Sequence, residues 1–350
     1  MMEAYPVVVN GSVAGFIRTF GDYVELVKSG SRDHYLWWGE RGFYVRAKSP
    51  FYNIVYEDAF IPRVEHRENL LRERVLQAVD RLRDALTGKL VMADLSGGKD
   101  STAQLIILSK LREFVDFRLV AVYVHVPYLE PLENIDYAEA TAEKLGVEFY
   151  YTEANRRMME FYLLREGLPR RGVRWCTYLK TRALRETRKK LGADFEAKGD
   201  RMLESGKRMG KLQALAKSSG FIQGRTLNLV YDFSALDTAW IVKEHGLIHP
   251  HYRSGIPRVS CRFCPYRGLY ELEAAKWQEV EDMGLVEHSA MLMYRRYYSG
   301  VTTWDMFWEL SLWRFQPTLA RMRVGELKSI DYSRYITIDK VKAMFRSMWE

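Results

Sequence analysis

The hexapeptide Ser96-Gly97-Gly98-Lys99-Asp100-Ser101 lies between a largely apolar run, Leu90 to Leu95, and a stretch with helical character, Thr102 to Leu111. Strand, glycine turn and helix start therefore follow one another directly. Two glycines let backbone approach a ligand closely, while helix N-terminal amides and one lysine supply donors and positive charge for phosphate oxygens. A Walker-type loop needs a glycine five residues before its Gly-Lys pair and Ser or Thr after it. Here Ala93 holds the first position and Asp100 follows Lys99, so that common nucleotide loop is excluded.

The surrounding pattern calls for an α/β fold with a parallel sheet. Leu119 to Val126 reads as a buried strand, Ile135 to Leu145 as a helix and Val147 to Tyr151 as the next strand. In such sheets ligands bind beyond the carboxyl ends of the strands, where the hexapeptide falls. Leu71, Val75, Val79, Leu82 and Leu86 recur at helical steps and predict a helix over about 67–86 that leads into the first strand. Residues 1–65 contain short strand-like pieces (Tyr5 to Val9, Tyr23 to Val27, Phe43 to Val45), which predict a small β-rich appendage whose Tyr35, Trp37 and Trp38 serve either as core or as a stacking surface. Residues 66–268 are expected to form the nucleotide-binding unit and 269–350 a helical domain. Trp304, Trp308, Leu312 and Phe315 there have the spacing of a packed stripe.

At 350 residues, 47% of them hydrophobic, the chain can bury a substantial core. No apolar stretch is long enough to span a bilayer and no leader is evident, which makes a cytoplasmic location the expectation, with no membrane partner. The net charge of +8 is concentrated: Arg170 to Lys217 holds 15 Lys or Arg against 5 Asp or Glu. A field of that size suits a polyanion, either a nucleotide or an RNA such as tRNA. Arg182, Arg185, Arg188 and Lys189 have the spacing of an ordinary solvated helix face, and Arg170 and Arg171 are candidates for backbone contacts to RNA.

Ser-Gly-Gly-Lys-Asp-Ser resembles the pyrophosphate loop of the adenine-nucleotide alpha-hydrolase superfamily. Four later stretches are similar, in order, to the phosphoadenosine phosphosulfate (PAPS) reductase branch of it: Arg174 to Lys180 with Cys176; Gly199-Asp200-Arg201-Met202-Leu203-Glu204-Ser205; Val230 to Ser234 with Asp237 and Trp240; and His251 to Gly255 followed by Arg258 to Pro265 with Cys261 and Cys264. The resemblance implies ATP or an adenylyl sulfate-type nucleotide bound by Ser96, Gly97, Gly98, Lys99, Asp100 and Ser101 with Gly199, Arg201, Glu204, Ser205 and Asp232. Lys99, Asp100, Lys180 and Arg201 are the residues expected at the chemistry, with Lys180 and Arg201 neutralising charge on the leaving group. Asp100 either helps hold Mg2+ or caps the following helix; Glu204 and Asp232 either orient cations and ribose hydroxyls or pair with nearby Arg and Lys.

Cys176, Cys261 and Cys264 are the only cysteines. A Cys-x-x-Cys with one distant cysteine can present three thiolates to a 4Fe-4S cluster, leaving one iron open; zinc with His249 or His251 as fourth ligand, and three unligated thiols, are the alternatives. The resemblance favours the cluster. Two features depart from the reductases: a single cysteine at Trp175-Cys176, where those using adenylyl sulfate have a pair, and no cysteine after Cys264 to act as the sulfate-attacking thiol. His125 stands where the branch commonly has an acidic residue, placed to contact adenosine or to cap the strand end. The resemblance thus implies AMP-forming activation coupled to sulfur transfer, with a sulfur donor as partner. The alternatives are reduction of an adenylyl or phosphoadenylyl sulfate by an external thiol reductant and a non-catalytic nucleotide- or RNA-binding module.

Overall fold

The computed structural model describes residues 63–218, 220–327 and 338–350, together with the backbones of five strands nearer the N-terminus. Those strands are β1 (Met2–Val9), β2 (Ser12–Phe20), β3 (Tyr23–Lys28), β4 (Tyr35–Trp38) and β5 (Arg41–Tyr44). They pair as an antiparallel β1-β2-β3 meander and a β4-β5 hairpin. The side chains of Tyr35, Trp37 and Trp38, expected either to stack or to form core, lie outside the described residues.

Helix α1 (Leu70–Leu86) starts three residues later than its periodicity suggests, because Asn69 adopts the left-handed conformation (φ 61°) and breaks the helical path there. Then β6 (Leu90–Asp94), α2 (Lys99–Leu111), β7 (Arg118–His125), α3 (Glu133–Lys144) and β8 (Glu148–Glu153) alternate as the pattern requires. Helices α4 (Arg156–Glu166) and α5 (Trp175–Leu191) carry the chain back across the sheet to β9 (Phe195–Ala197), which pairs with the free side of β6. Helix α6 (Gly206–Ser218) and the hairpin of β10 (Ile222–Gln223) and β11 (Thr226–Leu227) follow, giving a sheet ordered β10-β11-β9-β6-β7-β8 in which only the β10-β11 pairing is antiparallel.

Alternation on the central strands explains why both faces of this sheet are covered. On one face Val91, Ala93, Leu119, Ala121 and Tyr123 join α1, α2 and α7 (Ala235–Glu244) in the largest core; on the other Met92, Val120, Val122 and Val124 meet Ala183 of α5. The unbroken apolar run of β7 is the signature of a strand buried on both sides. The helices after residue 268 share a second core with α4 and α5: Met159, Leu163, Trp175 and Leu179 pack with Met293, Phe307, Trp313 and Phe315. The expected stripe behaves as core, with Trp304 stacked on Trp308 at 5.7 Å.

The last helix, residues 338–347, returns to the first core, where Phe345, Met348 and Trp349 are buried and Met348 C=O accepts the Val64 amide at 2.6 Å. Its backbone at Lys342 passes so close to Gly255 (φ 82°) that a Cβ there would overlap it. Gly255→Ala is expected to destabilise the fold by about 2 kcal/mol or more, from left-handed strain plus overpacking. Urea unfolding measures this, with Gly224→Ala as the comparison, since that glycine also has a positive φ but nothing within 4 Å of its Cβ position.

Candidate nucleotide and cysteine site

The chain leaves β6 toward β7 on one side, and β9 is later laid down on the other, so the sheet has its topological switch point between the carboxyl ends of β6 and β9. Ligands of open α/β sheets bind at such a point. The two ends carry Ser96–Ser101 and Gly199–Ser205, two motifs a hundred residues apart in sequence.

The loop is held by its own serines. Ser101 Oγ accepts the Ser96 amide at 3.1 Å, donates to Gly98 C=O at 3.0 Å and lies 3.0 Å from Ser96 Oγ. Gly97 has φ 75°, and a Cβ there would meet the His249 and Tyr137 rings at 3.3 and 3.4 Å. Gly98, extended, is the N-cap of α2, which places Lys99, Asp100 and Ser101 in the first turn, three residues earlier than the apolar pattern marks. The Lys99 amide donates to Tyr252 Oη at 2.9 Å, and the Tyr252 ring leans on Trp349 at 4.7 Å. Tyr252 is thus a contact that the motif pattern marked only as a spacing element.

Asp100 does not cap α2. Its Oδ1 accepts from Arg201 Nε at 2.8 Å and from Thr238 Oγ1 of α7 at 2.6 Å, and its Oδ2 is 3.6 Å from Lys99 Nζ. Burial alone would raise this carboxyl, but the Arg201 and Lys99 charges outweigh it and bring the pKa down to about 2. Lys99 and Arg201 are both essentially buried. The arrangement concentrates two cations and helix amides at the switch point, which is what an anionic phosphate chain requires; a carboxylate so committed does not fit as a ligand for Mg2+. Gly199 lets the two loops meet, since a Cβ there would stand 2.7 Å from the Asp100 backbone.

The other acidic candidates are paired. Asp232 takes a forked contact from Arg74 of α1 at 2.9 Å, and that guanidinium stacks on Phe233 at 4.3 Å. Glu204 pairs with Arg208, and Ser205 Oγ accepts the Arg208 amide at 3.2 Å at the start of α6. Of the two expectations for Glu204 and Asp232, pairing with neighbouring cations is the one observed.

Cys176, in the first turn of α5, and Cys261 and Cys264 line one cavity of about 200 Å3 that also includes Ser96 of the loop, Lys180 and Glu130. Among the described residues no three His, Cys, Asp or Glu side chains converge as a ready-made metal cage. The donor chemistry nonetheless fits a thiophilic group: three soft donors face one space, and burial pushes Cys176 up to about 11 and Cys261 also up, the latter aided by Glu130. A cationic group would reverse that penalty. His249 and His251 do not line this cavity. They sit under the phosphate loop, with the His249 ring 4.2 Å from that of Tyr137, and His251 Nε2 3.1 Å from Glu133, so neither serves as a fourth zinc ligand here.

Lys180 Nζ lies 3.9 Å from Glu130, whose Oε2 also accepts the Val126 amide at 3.0 Å. Burial would lower the lysine, but Glu130, Cys261 and Asp94 together outweigh it and raise its pKa, so it stays charged. Glu130 was not among the expected site residues. It lies just beyond the carboxyl end of β7, and the strand-end rule applied to that second strand would have found it. Asp94, at the end of β6, is also new: burial first, then Glu196, raises its carboxyl well above the usual range. His125 pairs with Glu281 at 3.2 Å rather than standing free at the strand end. Arg170 and Arg171 are half-buried rather than fully solvated: Arg170 stacks on Tyr297 at 4.8 Å, and Arg171 stacks on Phe315 at 4.6 Å while donating to Pro265 C=O at 2.9 Å.

Because the depressed Asp100 pKa belongs to the folded state, its contribution is present above the unfolded carboxylate range and lost as pH falls from about 4 through about 2. Asp100→Asn should therefore cost about 2 kcal/mol or more at pH 7, leaving Arg201 buried beside a neutral amide. The difference from wild type should shrink across that acid window, as read by denaturant midpoints at each pH.

Comparison with known proteins agrees with the motifs. An uncharacterized protein of Methanocaldococcus jannaschii is 26% identical over 179 residues, 50% of this chain and 41% of that one. A tRNA-cytidine(32) 2-sulfurtransferase of Colwellia psychrerythraea is 30% identical over 143 residues, 39% of this chain and 44% of that one. The chain thus spans less than half the length of either relative. Among solved structures, the U34-tRNA thiolase NcsA from Methanococcus maripaludis with its 4Fe-4S cluster aligns over 82% of this chain and 93% of that one, at 16% identity and a TM-score of 0.43. NMN synthetase from Francisella tularensis aligns over 68% of this chain and 98% of its own, at 11% identity and a TM-score of 0.37. The model of the phosphoadenosine phosphosulfate reductase domain matches residues 90–267, the span from β6 through the Cys-x-x-Cys, and the chain belongs to that family of the pyrophosphate-loop superfamily.

Proposed function

We propose that the protein binds ATP at Ser96–Ser101, adenylylates an oxygen of its substrate, and replaces that oxygen with sulfur delivered at Cys176, Cys261 and Cys264. The observation that carries this reading is the shared cavity: Ser96 of the phosphate loop and all three thiols line the same enclosure. An activated carbon and a thiol-bound sulfur can meet there without either leaving the site.

In the first step the substrate oxygen attacks the α-phosphorus and pyrophosphate departs. Lys99, Arg201 and the α2 amides neutralise the charge that builds on the phosphates, with Asp100 fixing the Arg201 guanidinium. In the second, sulfur attacks the activated carbon and AMP leaves with the bonding electrons. Lys180, held charged by Glu130 at the cavity wall, stabilises that anion. The three thiolates would hold an iron-sulfur cluster, which when bound supplies an open iron for an external sulfide. The acceptor we favour is a tRNA base, supported by the name of the Colwellia relative and by the cationic segment Arg170 to Lys217. Reduction of an adenylyl sulfate would need an external thiol, since all three cysteines of the chain are committed to the proposed cluster.

Anaerobic incubation with labelled ATP and unmodified tRNA should yield AMP, pyrophosphate and a thiolated nucleoside. Sulfite release from adenylyl sulfate with no AMP from ATP would establish the reductase reading instead. Lys99→Ala should weaken ATP binding about tenfold or more, the loss of one charge-assisted phosphate contact, in a calorimetric titration. Anaerobically prepared protein should carry iron and acid-labile sulfide, lost in Cys261→Ser and Cys264→Ser. Stoichiometric zinc without iron in the wild type would replace the cluster with a structural metal.

A further inference from the structure

The helix that carries Cys176 and Lys180 into the cavity presents a different chemistry on its outer side. Tyr178, Arg182, Arg185 and Lys189 follow one another at steps of four, three and four residues, so they form a single stripe along α5. All four are exposed, and Tyr178 is 57% exposed, an unusual setting for a large aromatic ring. Together with Glu186 they line a shallow surface groove of about 200 Å3. Arg182 pairs with Glu186 at 2.8 Å, whereas Arg185 and Lys189 project toward solvent. Arg188, which the bare sequence groups with them, instead turns to Glu196 at 3.4 Å and is not part of the stripe.

The sign of the charge selects the partner. Helix α5 holds six Lys or Arg and one Glu, and the groove offers cations beside an open aromatic face. Cations suit a phosphate backbone, and an exposed ring suits an unstacked base, which is the combination used for single-stranded nucleic acid. From Tyr178 to Lys189 the helix rises about 16 Å, room for roughly five phosphates at the ~3.4 Å spacing of a stacked strand. At its N-terminal end the stripe reaches the cavity mouth, where exposed Arg174 lines the cavity and stacks on Tyr266 at 4.8 Å. Tyr178 lies one helical turn from Arg174 and two residues from Cys176.

We infer that this stripe is a docking track for a single-stranded segment of RNA, with Arg185 and Lys189 on phosphates and Tyr178 stacked on a base, guiding a neighbouring nucleotide into the cysteine cavity. The inference rests on the reading of sulfur transfer to RNA and adds the surface that would present the substrate.

Filter binding of an unstructured eight-nucleotide RNA across a salt series tests it, beside a duplex of the same sequence and beside AMP formation from ATP. Arg185→Ala with Lys189→Ala should lower the slope of log affinity against log salt by about 1.4, two contacts at about 0.7 each. Tyr178→Ala should weaken binding about fivefold or more with the slope unchanged, and Tyr178→Phe should restore it, because stacking uses the ring and not the hydroxyl. The three residues are surface groups, so unfolding midpoints should match wild type. Wild-type binding that none of these variants alters, or equal affinity for the duplex, would overturn the track while leaving RNA as substrate. No binding of RNA at low salt, with AMP still formed from ATP, would remove RNA itself and leave nucleotide activation standing.

Discussion

The contact between Asp100 and Arg201 joins the two halves of the candidate site, and the neighbouring geometry is arranged to permit it. One partner is in the first turn of α2, after β6; the other follows β9, laid down on the far side of the switch point. Their side chains meet only because Gly199 brings its own backbone against that of Asp100. Thr238 supplies a further donor to the same carboxylate from α7, so three separate segments converge on one oxygen. A buried pair of this kind contributes little net stability compared with an apolar replacement, yet removing one partner is costly. Its value is positional: it holds a guanidinium beside Lys99, at the place where the helix amides emerge.

A second pairing, Lys180 with Glu130, does for the cysteine cavity what the first does for the loop. Burial makes Cys176 and Cys261 resist ionisation, and a nearby carboxylate makes this worse for Cys261. Lys180 offsets that field from the cavity wall while remaining charged, because Glu130 is itself anchored by the Val126 amide. The Cys-x-x-Cys turn is braced from outside by Arg267, whose guanidinium donates to Ser260 Oγ and C=O and to Gln278. Ser96 of the loop and the three thiols therefore line one enclosure, each on a hydrogen-bonded frame. Helix α5 links that enclosure to the surface by carrying Cys176 inward and Tyr178 outward within three residues.

Much of this was legible before any fold was known. Alternation of apolar runs and helical stretches from Leu90 to Tyr151 specified a parallel sheet, since a strand buried on both faces must be apolar throughout. The glycine-rich turn after β6 announced its own position at the sheet's carboxyl edge, and the spacing of Cys261 and Cys264 marked a place for soft ligands. The C-terminal stripe was readable as core because large aromatics at helical steps demand burial. These features are local, or depend on periodicity, and a linear chain displays them directly.

Whatever depended on which distant residues meet was settled only by the tertiary structure. Asp100 could have capped α2 or faced a metal, but the crossover to β9 set Arg201 against it and consumed its charge. Glu204 and Asp232 are carboxylates in suggestive motifs, yet Arg208 and Arg74 reach them first. His249 and His251 stand close to the Cys-x-x-Cys in sequence yet do not line its cavity, because Tyr137 and Glu133 of another helix engage their rings. Arg170 and Arg171 read as solvent-facing cations, but Tyr297 and Phe315, more than a hundred residues later, lie against their guanidinium groups. Neighbouring residues alone specified the element order, the glycine turn after β6 and the supply of thiols. The pairing of charges and the convergence of loop and cysteines came from sheet order and crossover, since electrostatic partners are chosen by distance in space, which linear spacing does not encode.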